Sequence, residues 1–410
     1  MPRSKKFRIA MIPTANAGVN YYRLAAFAWE MRKMPNVEVA VYSFQFKMND
    51  PHPWQRDMLT SPTVRREIES LCAVSDVVIW QPCFYQHSLD FMLDLRARYE
   101  RPFLVETDDN YIDVPQWNEA FHSYKPNSSV RNNAVESLRV ADGLIVSTSF
   151  LGKLYEQFNA NVKVVHNSLD FKVWDELSIR KHRYTRIGWI GGRTHVKDLL
   201  LVAPAIKEVL AKHPNVWFYM INSALKYYAK HVNEPFVFEG VRNVFYSDSS
   251  AQINLYPRFM AKFKFDIGIA PLEFCNFNLA KSNLRWLEYS ALKIPTVATD
   301  VGHFSETVKD GQDGILVPDN DLTRWVEALE GLIEDDGRRR QLGNAAYKRV
   351  KKDFNLRKTS AMYLRHLKEI AGYGMGVSDY GGADESDPIV HPDRGFDERP
   401  ESRPIHYIAN

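Results

Sequence analysis

Cysteine is scarce and unpatterned in this 410-residue chain. Cys72, Cys83 and Cys275 are odd in number, far apart and free of any C-x-x-C pairing. That argues against a disulfide framework or a structural zinc site, and a reducing, cytoplasmic location is expected. No stretch approaches the ~18 consecutive apolar residues of a membrane helix. The start, MPRSKKFRIAMIP, sets basic residues before an apolar run, but Arg8 and Pro13 interrupt it. It reads as a first β-strand rather than a signal peptide, and a soluble protein is expected. Neither G-x-G-x-x-G nor a Walker A pattern occurs, so nicotinamide and ATP sites lose support. A net charge of +3 is too small to name an acidic partner.

What is present is an α/β pattern with ample apolar material, 45% hydrophobic and 13% aromatic. Short apolar runs at 7–12, 37–42, 77–80, 103–106, 144–147 and 162–165 alternate with helical periodicities such as 22–33 and 131–139. After the polar stretch 170–183 a second series follows at 187–190, 216–221, 237–239, 243–246, 267–270, 296–299 and 315–317. Continuous apolar strands alternating with helices indicate parallel sheets buried on both faces. Two Rossmann-like units in tandem leave a cleft between them, a preferred place for a ligand. Three amphipathic helices close the series at 322–334, 337–350 and 356–370. From about residue 373 the chain is rich in glycine and proline, with eight Asp/Glu against three Lys/Arg, and a flexible acidic tail is expected.

Residues 266–319 carry the densest chemical signal. A short strand runs into a polar loop with Asn276, Asn278, Lys281 and Ser282, then a helix containing Glu288, then strand, Gly302 turn and strand. In a parallel α/β unit, ligands sit where strand C-termini meet helix N-termini. A lysine and a hydroxyl suit phosphates, and a carboxylate further along the helix suits sugar hydroxyls. The segment resembles the donor-binding half of nucleotide-sugar glycosyltransferases of the GT-B fold, specifically the large retaining family 4 with its glycogen synthase-like and phage-type members. Those enzymes carry Glu-x7-Glu here. Glu288 matches the second glutamate, which the resemblance assigns to ribose, whereas the first is replaced by Ala280. The resemblance covers roughly residues 7–370 and is most specific at 266–318.

Other loops fit the same picture. Gly18, after the first strand, lets backbone amides approach an anion, and Tyr22-Arg23 follow it. Gly191, Gly192, Arg193 and Thr194 stand between strand and helix, where amides and a cation neutralise phosphates. The family's lysine usually follows the arginine by five positions. Here Lys197 follows by four, and His195 with Asp198 fits the variant T-H-x-x-D-L. His166-Asn167-Ser168-Leu169-Asp170 resembles the H-N-G-V-D hinge, with serine for glycine.

At 106–110, ETDDN, three carboxylates crowd a strand end, which requires protonation, a cation or solvent. A GT-A type metal loop and a GT-B acceptor-side carboxylate both fit that sequence. The resemblance favours the second, with Asp108 or Asp109 orienting the acceptor hydroxyl.

The reading is therefore a GT-B glycosyltransferase, a hexosyl- or pentosyltransferase, with two Rossmann-like domains facing each other across a cleft. Residues 1–170 form the acceptor domain, 171–355 the nucleotide-sugar domain, 356–372 a helix crossing back, and 373–410 a disordered tail. Candidate catalytic residues are Asp108, Asp109 and His166. Candidate donor-binding residues are Gly18, Gly191, Gly192, Arg193, Thr194, His195, Asn278, Lys281, Ser282 and Glu288. No metal or cofactor is expected beyond the nucleotide diphosphate sugar itself. The acceptor stays open among glycan, lipid, protein and modified DNA, and a peripheral membrane contact is compatible. Two alternatives stand beside this: a phage-type DNA glycosyltransferase acting on hydroxylated bases, and an inactive GT-B-like binding module.

Overall fold

The structure, a computed structural model, describes residues 6–14, 18–42, 58–177, 183–221, 236–249 and 255–373. Met1–Gly374 forms one compact unit. The second, Met375–Asn410, lies wholly outside the described residues, and so does the expected acidic tail beyond Tyr373.

The described strands make two six-stranded, all-parallel sheets. The first holds β1 (Phe7–Ile12), β2 (Val37–Val41), β3 (Val77–Trp80), β4 (Phe103–Thr107), β5 (Gly143–Val146) and β6 (Val162–Val164), in the order β2-β1-β3-β4-β5-β6. The second holds β7 (Thr185–Ile190), β8 (Val216–Ile221), β9 (Val244–Ser247), β10 (Ile267–Ala270), β11 (Thr296–Thr299) and β12 (Ile315–Val317), in the order β12-β11-β10-β7-β8-β9. Strands such as VVIW and TVAT are buried at every position, because helices cover both faces of a parallel sheet. Strand order reverses between β1 and β3 in one sheet and between β7 and β10 in the other. Such switch points open a crevice at the strand C-termini, since the neighbouring connections leave in opposite directions.

One expected strand is absent. Residues 237–240 form a turn instead, with Glu239 N donating to Phe236 O at 2.8 Å and Gly240 at φ +72°. Phe238 is nonetheless buried in the second sheet's core, so its apolar character reflects packing rather than pairing.

Two chain crossings join the halves of the unit. The first, at 165–174, buries Leu169, Phe171 and Trp174 in the second half's core. The return helix Leu356–Ile370 packs Leu356, Tyr363, Leu364 and Leu367 among Phe7, Ile9 and Phe27 of the first sheet's layer. The crossings bond to each other: Leu169 N donates to Phe354 O, Leu356 N to Leu169 O, each at 3.0 Å. Ser168, standing where the hinge resemblance has glycine, places its Oγ 2.7 Å from Thr359 Oγ1. Among the described residues, no helix is long and apolar enough to cross a membrane.

Candidate active site

The loop after β10 is the centre of the site. It leaves the switch point of the second sheet and meets the first half at four places. Asn110 Nδ2 donates to Asn276 O (3.3 Å), Thr148 Oγ1 to Ala280 O (3.2 Å) and Asn167 Nδ2 to Ser282 Oγ (2.8 Å), while Lys281 Nζ sits 2.5 Å from Asp109 Oδ1. Lys281 is largely covered, and its ammonium also lies 4.2 Å from the centre of the Phe277 ring. Burial opposes its charge, but Asp109, through both field and hydrogen bond, then Asp108 and Asp198, outweigh that and raise the lysine's pKa. Lys281 therefore carries its charge in this site.

Ala280, in the place of the family's first glutamate, is buried among apolar side chains of the first half. A carboxylate there would enter a hydrophobic cluster at a cost of several kcal/mol, so the substitution belongs to the contact between the halves.

The three carboxylates of 106–109 divide into different roles. Glu106 is fully buried, and both of its oxygens are occupied. Arg23 Nε meets one at 2.6 Å and Gln81 Nε2 donates to the other at 3.1 Å. Arg23, equally buried, also donates to Val165 O and Asn167 Oδ1. It is presented by a wide turn, Tyr21–Ala25, inside the helical segment 18–31, which places Tyr22, Arg23 and Leu24 all inward. Tyr22 and Arg23, which the resemblance turns toward the donor diphosphate or the acceptor, are both buried here, Arg23 against Glu106.

Asp109 pairs with Lys281 as described. Asp108 is half-buried, and its carboxyl is pushed up to about 8 by burial and by the fields of Asp109 and Glu106, with Arg23 and Lys281 opposing. A carboxyl poised there can take a proton near neutral pH.

Glu288 is almost completely buried. Tyr22 OH donates to Oε1 at 2.8 Å, while Arg285 Nη1 at 2.8 Å and Tyr256 OH at 3.3 Å serve Oε2. Burial raises its pKa, and Arg285, Tyr22 and Tyr256 pull the other way. In this structure the proposed ribose ligand is a bridge between the halves, a role the sequence reading missed. Arg285, three residues earlier on the same helix, is a local partner and gives no sign of that bridge.

On the other side of the switch point, after β7, Gly191 is forced by packing, since a Cβ there would fall 2.3 Å from the Trp189 ring. Its N–H donates to Ile221 O at 3.3 Å, whereas Gly192 is open on its Cβ side. Thr194 and His195 are half-buried, and the Arg193 side chain lies outside the described residues. His195 Nδ1 is 2.9 Å from Asp198 Oδ2. Asp198 is fully buried, and its Oδ1 accepts from Glu273 N and Asn278 Nδ2, each at 2.8 Å. Asn278 therefore ties the two switch-point loops together.

Gly18 is exposed at the start of the first helix, and nothing lies within 4 Å of where a Cβ would stand. His166 is buried, with Nδ1 3.1 Å from Ser147 O, and its ring stacks on His303 at 4.7 Å. His303 was not foreseen. It follows Gly302, whose φ of +54° and whose closeness to Leu279 O leave no room for a side chain.

Comparison with known proteins bears on the fold and on one segment of the chain. Residues 284–349 match the family "Glycosyl transferases group 1". The chain is 36% identical over 83 residues to a D-inositol 3-phosphate glycosyltransferase of Paenarthrobacter aurescens, a match covering 20% of each chain. It is 32% identical over 90 residues to the capsular polysaccharide biosynthesis glycosyltransferase CapM of Staphylococcus aureus, covering 21% of this chain and 24% of that one. The matched stretches thus span about a fifth to a quarter of these relatives. The fold likeness is far wider. Sucrose-phosphate synthase from Thermosynechococcus elongatus superposes with a TM-score of 0.65 at 14% identity, over 90% of this chain and all of that one. Anabaena HepE, solved with UDP-glucose, gives 0.63 at 13% identity, over 88% and 99%. The fold is GT-B, and the segment behind the Lys281 loop is of the group 1 glycosyltransferase type.

Proposed function

We propose that this chain transfers a sugar from a nucleotide diphosphate donor to an acceptor hydroxyl, with retention at the anomeric carbon and without a metal ion. The observation that carries the reading is the meeting of Lys281 with Asp109 at 2.5 Å across the two halves, at the second sheet's switch point. It sets a cation for a leaving diphosphate against carboxylates suited to an acceptor hydroxyl. The UDP and UDP-glucose named for the HepE structures, and the glycosyl transfer named for the short-range relatives, agree with that chemistry.

The division of labour follows from the site. Lys281, the Gly192 and Ser282 amides, Thr194 and His195 face the diphosphate, which stabilises the charge that develops as the C1–O bond breaks. Asn278 and the Gly191 turn hold those groups in place. Glu288 takes the ribose by exchanging a hydroxyl partner on its helix. Asp108 or Asp109 orients the acceptor hydroxyl, and His166 lines the hinge beside it. Alignment on one face of the sugar supplies much of the remaining acceleration.

Calorimetry with UDP-, GDP-, ADP- and dTDP-sugars tests the reading. At least one binds, and Lys281→Ala weakens it by about 2–3 kcal/mol, the worth of a charge-assisted contact. Unchanged affinity in that variant sinks the assignment of Lys281.

A further inference from the structure

We infer that His195 and Asp198 act as a dyad in which donor binding is coupled to proton uptake, with Asp198 as the positioning residue. The inference rests on the donor reading above and adds to it the identity of the second phosphate cation. Three features point there. His195 follows β7 directly on one side of the switch-point crevice, opposite the loop that carries Lys281. Its Nδ1 is held by Asp198 Oδ2 at 2.9 Å, and because a carboxylate only accepts, Nδ1 bears the hydrogen. The ring remains 30% exposed, so Nε2 is the nitrogen left to meet a ligand.

Asp198 is built to stay where it is. It has no exposure, and its second oxygen is pinned by Glu273 N and Asn278 Nδ2 at 2.8 Å each. A surface carboxylate swings freely, whereas this one fixes both the tautomer and the orientation of the ring it faces. The charged groups nearest the dyad are Lys197 on the same helix as Asp198, with Glu273 and Lys281 from the loop after β10, whose fields act with that of Asp198. Asp198 is the anion held directly against the ring, at 2.9 Å. With Nδ1–H committed to Asp198, a neutral ring presents a lone pair at Nε2, which repels a phosphate oxygen. A diphosphate therefore binds best when Nε2 takes a proton from solvent and donates it in a charge-assisted hydrogen bond.

UDP is the probe. Its binding is measured by calorimetry at pH 8 in buffers of different ionisation enthalpy, which reports the protons taken up per UDP bound. The wild-type chain takes up a measurable fraction of a proton. His195→Gln takes up none and binds about ten- to a hundredfold more weakly, the loss expected for one charged hydrogen bond. His195→Lys restores affinity without uptake, because its charge is already present. Asp198→Asn keeps the side-chain shape but lowers the uptake, and circular dichroism checks that it folds. Binding of UDP to the wild-type chain with no proton uptake overturns the dyad while leaving the donor reading intact, as does full uptake in His195→Gln. Failure of UDP, GDP, ADP and dTDP all to bind overturns the donor reading and this inference with it.

Discussion

The Tyr22–Glu288 bridge is the contact on which the two halves most visibly depend, and its removal has a calculable effect. Tyr22→Phe deletes one hydrogen bond to a buried carboxylate, 2.8 Å long, between residues 266 positions apart. A bond to a charged group contributes about 1.5–3 kcal/mol, and among the described residues no other donor bonds Oε1. Glu288→Gln is costlier. It keeps an oxygen for Tyr22 but turns an amide N–H toward Arg285 Nη1, which at 25% side-chain exposure is only partly relieved by water. Breaking one partner of a buried pair costs about 3–5 kcal/mol. The lower end applies here, because burial already disfavours the charged glutamate. The assay is urea denaturation of both single variants and the double variant, followed by tryptophan fluorescence and far-UV circular dichroism. Coincidence of the two signals establishes that a single transition is being compared. The coupling energy of the cycle is about 1 kcal/mol or more, as for side chains in direct contact. A coupling below about 0.3 kcal/mol, the additivity expected of distant sites, refutes the bridge.

Four other predictions follow, three from the structure and one from composition. Asp108 has a folded-state pKa near 8 against about 3.9 unfolded, so its contribution to stability is full below pH ~4 and is lost as pH rises toward 8. Asp108→Asn therefore gains stability relative to wild type between pH 5 and 9, and a flat difference across that range contradicts the cause given for the shift. Turnover survives EDTA, since Lys281 and helix amides are assigned to the leaving group. Loss of activity on chelation with rescue by Mn²⁺ reassigns Asp108 and Asp109 to a metal. Truncation before Leu356 strips Tyr363, Leu364 and Leu367 from the first sheet's layer, about 1.5–3 kcal/mol for each, and yields unstable or insoluble protein. Deletion of residues 378–410, argued from composition alone, leaves the melting temperature unchanged.

The central strands were legible because each is a short apolar run buried on both faces, a pattern that survives without knowledge of the fold. Residues 237–239 misled for the same reason, since Phe238 is as buried as a strand residue but its backbone turns at Gly240. Local chemistry of the site was legible too: a lysine and serine in a loop after a strand, carboxylates at a strand end. What sequence spacing could not show is who pairs with whom. Glu106, Asp108 and Asp109 look alike in ETDDN. Only the fold brings Arg23, 83 residues away, to the first and Lys281, 172 residues away, to the third, leaving Asp108 to hold a proton. The His166–His303 stack and the Tyr22–Glu288 bond are likewise products of the tertiary fold, invisible to any local pattern.

The central claim is that the crevice around Lys281 takes a nucleotide diphosphate sugar and releases the nucleoside diphosphate. The most direct test is release of UDP, GDP, ADP or dTDP from the corresponding sugar nucleotides, with and without a mixture of glycan, lipid and hydroxymethylated-DNA acceptors. One donor is cleaved by the wild-type chain, acceptor accelerates the release, and Lys281→Ala abolishes it while the chain stays folded by circular dichroism. If no donor is cleaved or bound under any acceptor condition, or if Lys281→Ala releases nucleoside diphosphate at the wild-type rate, the account of this site is wrong.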